Sequence, residues 1–252
     1  MRQSRRQFVG AIGAGALVGT HMQAAGQPSG IRALAFDAYG TLFDVFSVTA
    51  LCEELFPGRG TELAQLWRAK QLQYSLLRSL MGRHEDFWRL TEDGLVYAAR
   101  SLALDLTTDR RRRLMDAYLA LTPFPDVRPG LEALRQNGIR LAILSNGEPT
   151  MLEAAARHAG IAGLLDAILS VEEVGVFKPS PRVYNLVSTR LGVAAGSAGF
   201  VSSNSWDIAG AASAGLTTFW IQRNAAEPPE ELGFGAAHVV RALTELPALL
   251  RG

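Results

Sequence analysis

The feature that most constrains this chain is a recurrent pattern of short apolar runs, each ending abruptly in small polar or acidic residues. The first, Ile31-Arg32-Ala33-Leu34-Ala35-Phe36, delivers Asp37. Ile139–Leu144 ends in Ser145-Asn146-Gly147, and Ala198–Val201 ends in Ser202-Ser203-Asn204-Ser205-Trp206-Asp207. A run at Ala167–Ser170 leads to a loop, Val176–Pro181, that carries Lys178, and Thr217–Ile221 is one more run. Strands buried on both faces read as continuous apolar segments of this kind. Helical patterns separate them, at Leu131–Asn137, Thr150–Ala159, Val183–Leu191 and Ile208–Ala214, with Val239–Leu250 closing the chain. Repeated strand–helix units with short connections predict an α/β fold with a doubly wound, Rossmann-like parallel sheet.

One long interval breaks the alternation. From Phe46 to Thr122 the spacing of apolar residues is helical throughout, with segments at Val48–Phe56, from Thr61 onward, at Asp86–Leu102 and at Thr108–Leu121. Thr107 is the expected N-cap of the last. We therefore expect an α/β core at residues 31–46 and 123–252, with an all-helical insertion at 47–122 sitting over the strand tips as a cap. Pro123–Gly130 reads as a proline-rich return linker. By periodicity Arg68 is an exposed helix arginine, and Arg110-Arg111-Arg112-Arg113 is a solvated face.

Residues 1–30 stand apart. Ser4-Arg5-Arg6-Gln7-Phe8 precedes an apolar, small-residue run from Val9 to Gly19, which reads as a twin-arginine export signal with cleavage near Ala24 or Ala25. The run is too short to span a bilayer. A disordered basic tail or a mis-assigned start codon is the plainer alternative. With the signal used the protein is periplasmic; otherwise it is cytoplasmic. The net charge of +1 over 252 residues does not point to nucleic acid or to a stable membrane association. A lone cysteine, Cys52, and four scattered histidines offer no disulfide framework and no metal-ligand spacing.

Standing alone, Asp37 reads more readily as a helix N-cap than as a nucleophile. It does not stand alone. Open parallel sheets build their sites outside the carboxyl ends of the strands. Four polar clusters in that position bring together a carboxylate, a lysine and several hydroxyl and amide groups, an arrangement better explained by a site than by four unrelated caps.

The stretches FDAYGTLFDV (36–45), FPGRGTELAQLWRAKQLQYSLLRSLM (56–81), LAILSNG (141–147), VFKPSPRVY (176–184) and FVSSNSWD (200–207) resemble the haloacid dehalogenase-like superfamily. Within it they are most similar to the metal-independent L-2-haloacid dehalogenases. The resemblance runs from Ile31 to Leu250 and implies inverting hydrolysis of L-2-haloalkanoic acids to D-2-hydroxy acids, with no cofactor. By it, Asp37 attacks the halogen-bearing carbon and Lys178 keeps the carboxylate ionised and oriented, supported by Thr41 and Tyr184. Asp207, with Ser202 and Asn204, positions or activates water. Ser145 and the N–H groups near Ala38 and Tyr39 take the substrate carboxylate, and Arg68 with Asn146 receives the halide. Tyr39, Leu72, Phe87 and Trp206 line the alkyl wall. The partners implied are the small haloacid and water, with a homodimer for which the helical insertion offers a surface. The resemblance leaves alkyl chain length and halogen open.

The superfamily's phosphatases carry a second aspartate two positions after the nucleophile, with its backbone carbonyl on the metal. Here that residue is Tyr39, and the acidic metal loop is represented by Ser202-Ser203-Asn204, with Asp207 its only carboxylate. A hard divalent cation wants more anionic oxygens than this. A phosphate ester also needs its leaving group protonated, whereas a halide does not. A metal-dependent phosphatase and an exported, non-catalytic binding protein on this scaffold are the alternatives. Magnesium dependence would mark the first, and loss of Asp37 or Lys178 the second; both residues are present.

Overall fold

The computed structural model describes residues 30–250, so the expected export signal lies outside the described residues. Its centre is a six-stranded, all-parallel sheet in the order β3-β2-β1-β4-β5-β6. The strands are β1 (Ala33–Phe36), β2 (Arg140–Ser145), β3 (Ala167–Ser170), β4 (Ala198–Ser202), β5 (Thr217–Ile221) and β6 (His238–Val240). β1 sits between β2 and β4, with Phe36 in register with Ile143 on one side and Val201 on the other. All four residues of β1 and all five of β4 are buried, which is why both read as uninterrupted apolar runs.

The chain winds outward from β1 to β3, then returns to β4 on the far side. Right-handed crossovers running in opposite directions place their helices on opposite faces. α5 (Val127–Gln136) and α6 (Pro149–His158) belong to the first direction, α7 (Pro181–Leu191) and α8 (Ser205–Ser213) to the second. A short α9 (Leu246–Leu249) packs on α5. The strand order reverses beside β1, so the tips of β1, β2 and β4 form the crevice expected at such a switch point.

Between β1 and β2 lie α1 (Thr49–Leu55), α2 (Gly60–Leu80), α3 (Phe87–Ser101) and α4 (Thr108–Ala117). The Thr107 side chain caps α4 by accepting from Arg110 N, and Asp86 caps α3 in the same way. The insertion leaves and returns through paired linkers, with Asp44 N donating to Thr122 O at 2.8 Å and Phe124 N to Leu42 O at 3.0 Å. Further bonds tie it to the core, among them His84 to Glu172 at 2.9 Å and Phe177 N to Ser79 Oγ at 3.0 Å. The four arginines of α4 make exposed ion pairs with Asp105, Glu92, Asp109, Asp116 and Glu54, as a solvated face should.

Three expectations need correction. The return linker is shorter than read, because α5 begins at Val127 and takes Pro129 into its first turn, where the missing N–H has no helical partner to lose. The segment from Val239 is not simply a closing stretch, since His238–Val240 adds β6 to the sheet edge. α8 begins at Ser205 rather than Ile208, so Asp207 belongs to its first turn.

Gly94 sets how closely α3 approaches α2. A Cβ there would lie 3.2 Å from Gln71 N and 3.4 Å from Trp67 O, both on the backbone side of the contact. Gly94→Val should therefore wedge the helices apart and cost about 1–3 kcal/mol by overpacking. Chemical denaturation should show the loss as a lower midpoint at unchanged slope.

Candidate active site

The sheet presents Asp37 just beyond β1, its N–H bonded to Val201 O across the β1–β4 seam. Gly40 follows at φ +91°, a left-handed conformation that glycine adopts without steric cost. That turn lets Ala38 O accept from Leu42 and Phe43, bringing Thr41 back over the carboxylate. The N–H groups of Ala38 and Tyr39 are donated to no acceptor among the described residues and remain available to an anion.

Lys178 binds two carboxylates. Its Nζ lies 3.0 Å from Asp37 Oδ1 and 2.8 Å from Asp207 Oδ2, with all three side chains buried. The Phe200 ring lies under the ammonium at 4.8 Å. Burial alone would lower the pKa of Lys178, but Asp207 and Asp37 together outweigh it and hold the ammonium above its ordinary value. Asp207 goes the other way from a normal carboxylate. Burial, reinforced by the Asp37 charge and only partly opposed by Lys178, pushes it up to about 6.

The second oxygen of Asp37 is held by Asn204 Nδ2 at 2.9 Å and Thr41 Oγ1 at 3.1 Å. Thr41 Oγ1 accepts from Ser203 N at 2.8 Å, which leaves its own proton for Asp37. Both oxygens of the carboxylate thus have fixed donors, a requirement for an oriented nucleophile.

The remaining expected residues are placed as follows. Tyr184 donates to Asp207 Oδ1 at 2.6 Å, so it meets Asp37 only through Asp207 and Lys178. Ser202 is fully buried and accepts from Asn204 N, which fixes the turn that carries Asn204. Ser145 likewise accepts from Gly147 N. Asn146 Oδ1 accepts from Lys178 N at 3.0 Å, which turns its NH2 end outward as a donor. Leu72 and Trp206 line a cavity that reaches Lys178. Phe87 is buried behind Tyr39, their ring centroids 5.6 Å apart, and packs on Phe177.

Arg68 departs most from its sequence reading. It is buried, not exposed, with Nη1 donating to Gln71 Oε1 at 2.7 Å and Nη2 to Tyr39 O at 3.3 Å. Gln71 is itself fully buried and donates to Thr91 Oγ1, which donates to Phe87 O. The Tyr39 carbonyl accepts from Asn204 Nδ2 as well. The oxygen that binds metal in the phosphatases therefore faces two N–H donors here, and the position between the carboxylates is filled by an ammonium. These donors do not fit a divalent cation. Tyr39 contributes a neutral ring in place of an acid, burial raising its phenol well above the ordinary value.

Gln71, Thr91 and Ser203 are the residues that sequence reasoning missed. An arginine and a glutamine three apart on a helix share a face, which was the available signal for Gln71.

Fold and site together define a class: a doubly wound sheet whose capped strand tips hold an aspartate–lysine–aspartate centre. The family model for haloacid dehalogenase-like hydrolases matches residues 31–215. The chain is 50% identical to an (S)-2-haloacid dehalogenase of Pseudomonas sp. strain YL, over 77% of this chain and 83% of that one. It superposes on a crystal structure of an L-2-haloacid dehalogenase with a TM-score of 0.86 and 45% identity, covering 89% of this chain and all of the other. The Xanthobacter autotrophicus L-2-haloacid dehalogenase with chloropropionic acid covalently bound gives a TM-score of 0.83 at 40% identity, covering 88% and 99%. The chain belongs to the haloacid dehalogenase-like hydrolases and, within them, to the L-2-haloacid dehalogenases.

Truncating Gln71 tests its hold on Arg68. Hydrogen bonds to charged groups contribute about 1.5–3 kcal/mol, so Gln71→Leu should lower kcat/KM roughly tenfold or more. The loss should be larger for a 2-chloro than for a 2-iodo acid, because chloride is the poorer leaving group. An equal loss for both would assign Gln71 to packing alone.

Proposed function

We infer that this chain hydrolyses L-2-haloalkanoic acids to D-2-hydroxy acids through an ester on Asp37. The observation that carries this is the Asp37 carboxylate, held at both oxygens by Lys178, Thr41 and Asn204. Support comes from a relative that holds chloropropionic acid covalently. Ala38 N–H, Tyr39 N–H and Ser145 bind the substrate carboxylate. An oxygen of Asp37 displaces the halide from C2 with inversion, forming the C–O bond as the C–halogen bond breaks. Arg68 and the NH2 end of Asn146 receive the departing anion, where donors fixed in advance are most effective. The buried rings of Tyr39 and Phe87 keep the surroundings dry and strengthen that attraction. Water then adds to the Asp37 carboxyl carbon, giving a proton to Asp207 while Asn204 helps place it. The alkoxide of the hydroxy acid leaves and takes up a proton. Residues 47–122 act as the cap that brings Arg68 to the core. No described helix is long and apolar enough to cross a membrane. The Arg5-Arg6 pair and the run after it favour export to the periplasm, and exposed Leu76, Leu77 and Leu80 on α2, with Met81 just after it, favour a homodimer.

Single turnover in heavy-oxygen water decides the covalent route: the hydroxyl oxygen of the product should be unlabelled and the label should appear in Asp37. Label arriving directly in the product would refute the ester. Asp37→Asn should lower kcat by at least about a thousandfold, and chelators should leave halide release unchanged.

The charge balance of the centre adds a pH prediction. In the resting enzyme the Asp37 charge helps push Asp207 up to about 6. Esterification removes that charge and leaves Lys178 to Asp207 alone, which must lower the Asp207 pKa. Alkylation at pH 6 should therefore release a burst of protons, in substoichiometric amount, before the ester hydrolyses. At pH 8, where Asp207 is already ionised, the burst should vanish, as it should in Asp207→Asn. A stopped-flow indicator dye reads it directly.

A further inference from the structure

Two cavities meet the reaction centre, and Leu72 lines both. The one already described takes in Trp206 and Lys178. The other, of about 410 Å³, takes in Arg68 and Asn204 instead. Asn204 Nδ2 lies 2.9 Å from Asp37 Oδ2, so the inner end of this second cavity adjoins the nucleophile. Its outer end lies between the entry to the helical insertion and the loop after β5, where Phe46, Asn224 and Glu227 are exposed.

The charges along this second cavity are balanced. Arg68 and Arg223 are matched by Asp44 and Glu227. Arg223 is further occupied, with Nη1 on Asp126 Oδ1 and Nη2 donating to Thr41 O, each at 2.7 Å. A passage conducts an ion only when it attracts the ion enough to admit it and holds it weakly enough to release it. Beyond Arg68, this lining meets that condition for an anion. The aromatic part of the wall is held in place: Phe124 lies 4.1 Å from the Arg223 guanidinium, and Trp220 Nε1 donates to Ser203 O at 2.9 Å.

We propose that the second cavity is an exchange port, through which halide leaves Arg68 and the hydrolytic water reaches Asn204. The haloacid itself arrives on the Trp206 side. The inference rests on the dehalogenase reading and adds a separate route to it. Its physical reason lies in the order of events. Once the ester has formed, the organic group attached to Asp37 still occupies the Trp206 side. That side is closed at the moment when an anion must go out and a water must come in.

Narrowing the outer end tests the port without touching the reacting groups. Glu227→Trp and Asn224→Trp each place bulk at an exposed position of its lining. For 2-bromopropionate, kcat/KM reports the steps up to ester formation, whereas kcat includes halide departure and hydrolysis. Each variant should lower kcat at least about fivefold and leave kcat/KM within about twofold of the natural chain. Mass spectrometry of acid-quenched enzyme should show a larger steady-state fraction of Asp37 held as ester. Adding Phe46→Ala, which widens the same mouth, should restore part of the lost kcat. If one tryptophan variant folds poorly, the other carries the test. Equal losses in kcat and kcat/KM overturn the proposal, because the haloacid would then share the route. Unchanged kcat and ester fraction in both variants overturn it as well, as does a loss that Phe46→Ala fails to relieve. Failure of the natural chain to release halide from 2-bromopropionate would instead strike the dehalogenase reading itself.

Discussion

One buried cation between two buried carboxylates is the interaction on which this structure depends. Removing a carboxylate or an ammonium from water costs several kcal/mol per ion unless geometry and further hydrogen bonds compensate. Here the compensation comes from four separate parts of the chain: the tip of β1, the loop before α7, the first turn of α8, and Tyr184 within α7. The centre also carries one more negative than positive charge, a surplus distributed over Thr41, Asn204 and Tyr184. A nucleophile needs that surplus, because an aspartate fully neutralised by its lysine would attack carbon poorly.

Arg68 is a second buried cation, and a charge held away from water must be fixed by bonds within the protein. α2 does so by placing Gln71 one turn on, so the guanidinium is bonded on two sides before any anion arrives. The same carbonyl that anchors Arg68, that of Tyr39, also anchors Asn204. The main-chain oxygen that would attract a metal in a phosphatase thus becomes the point where cap and core are joined.

Much of this was legible in the sequence because parallel strands announce themselves. β1, β2 and β4 are buried on both faces, so their apolar runs and the polar residues ending them, Asp37, Ser145 and Ser202, could be read directly. Thr107 was visible as a cap because that role depends on local geometry alone. What stayed hidden depends on tertiary contact. The burial of Arg68 comes from a core loop far away in sequence, and helical periodicity has no access to it. β6 is three residues long and half exposed, too short for a pattern. The hydroxyls of Ser145 and Ser202 each accept from a backbone N–H two residues on, a bond that fixes the oxygen and leaves the O–H to donate. Such local bonds are a common fate of serine in turns.

The paired linkers that carry the chain into and out of the helical insertion have a consequence of their own. Their backbones are bonded at Asp44–Thr122 and Leu42–Phe124, so the ends of the insertion are neighbours. Adjacent ends are what make an insertion tolerable to the element that bears it. The core carries Asp37, Lys178 and Asp207, and the insertion is the fitting that adds Arg68 to them.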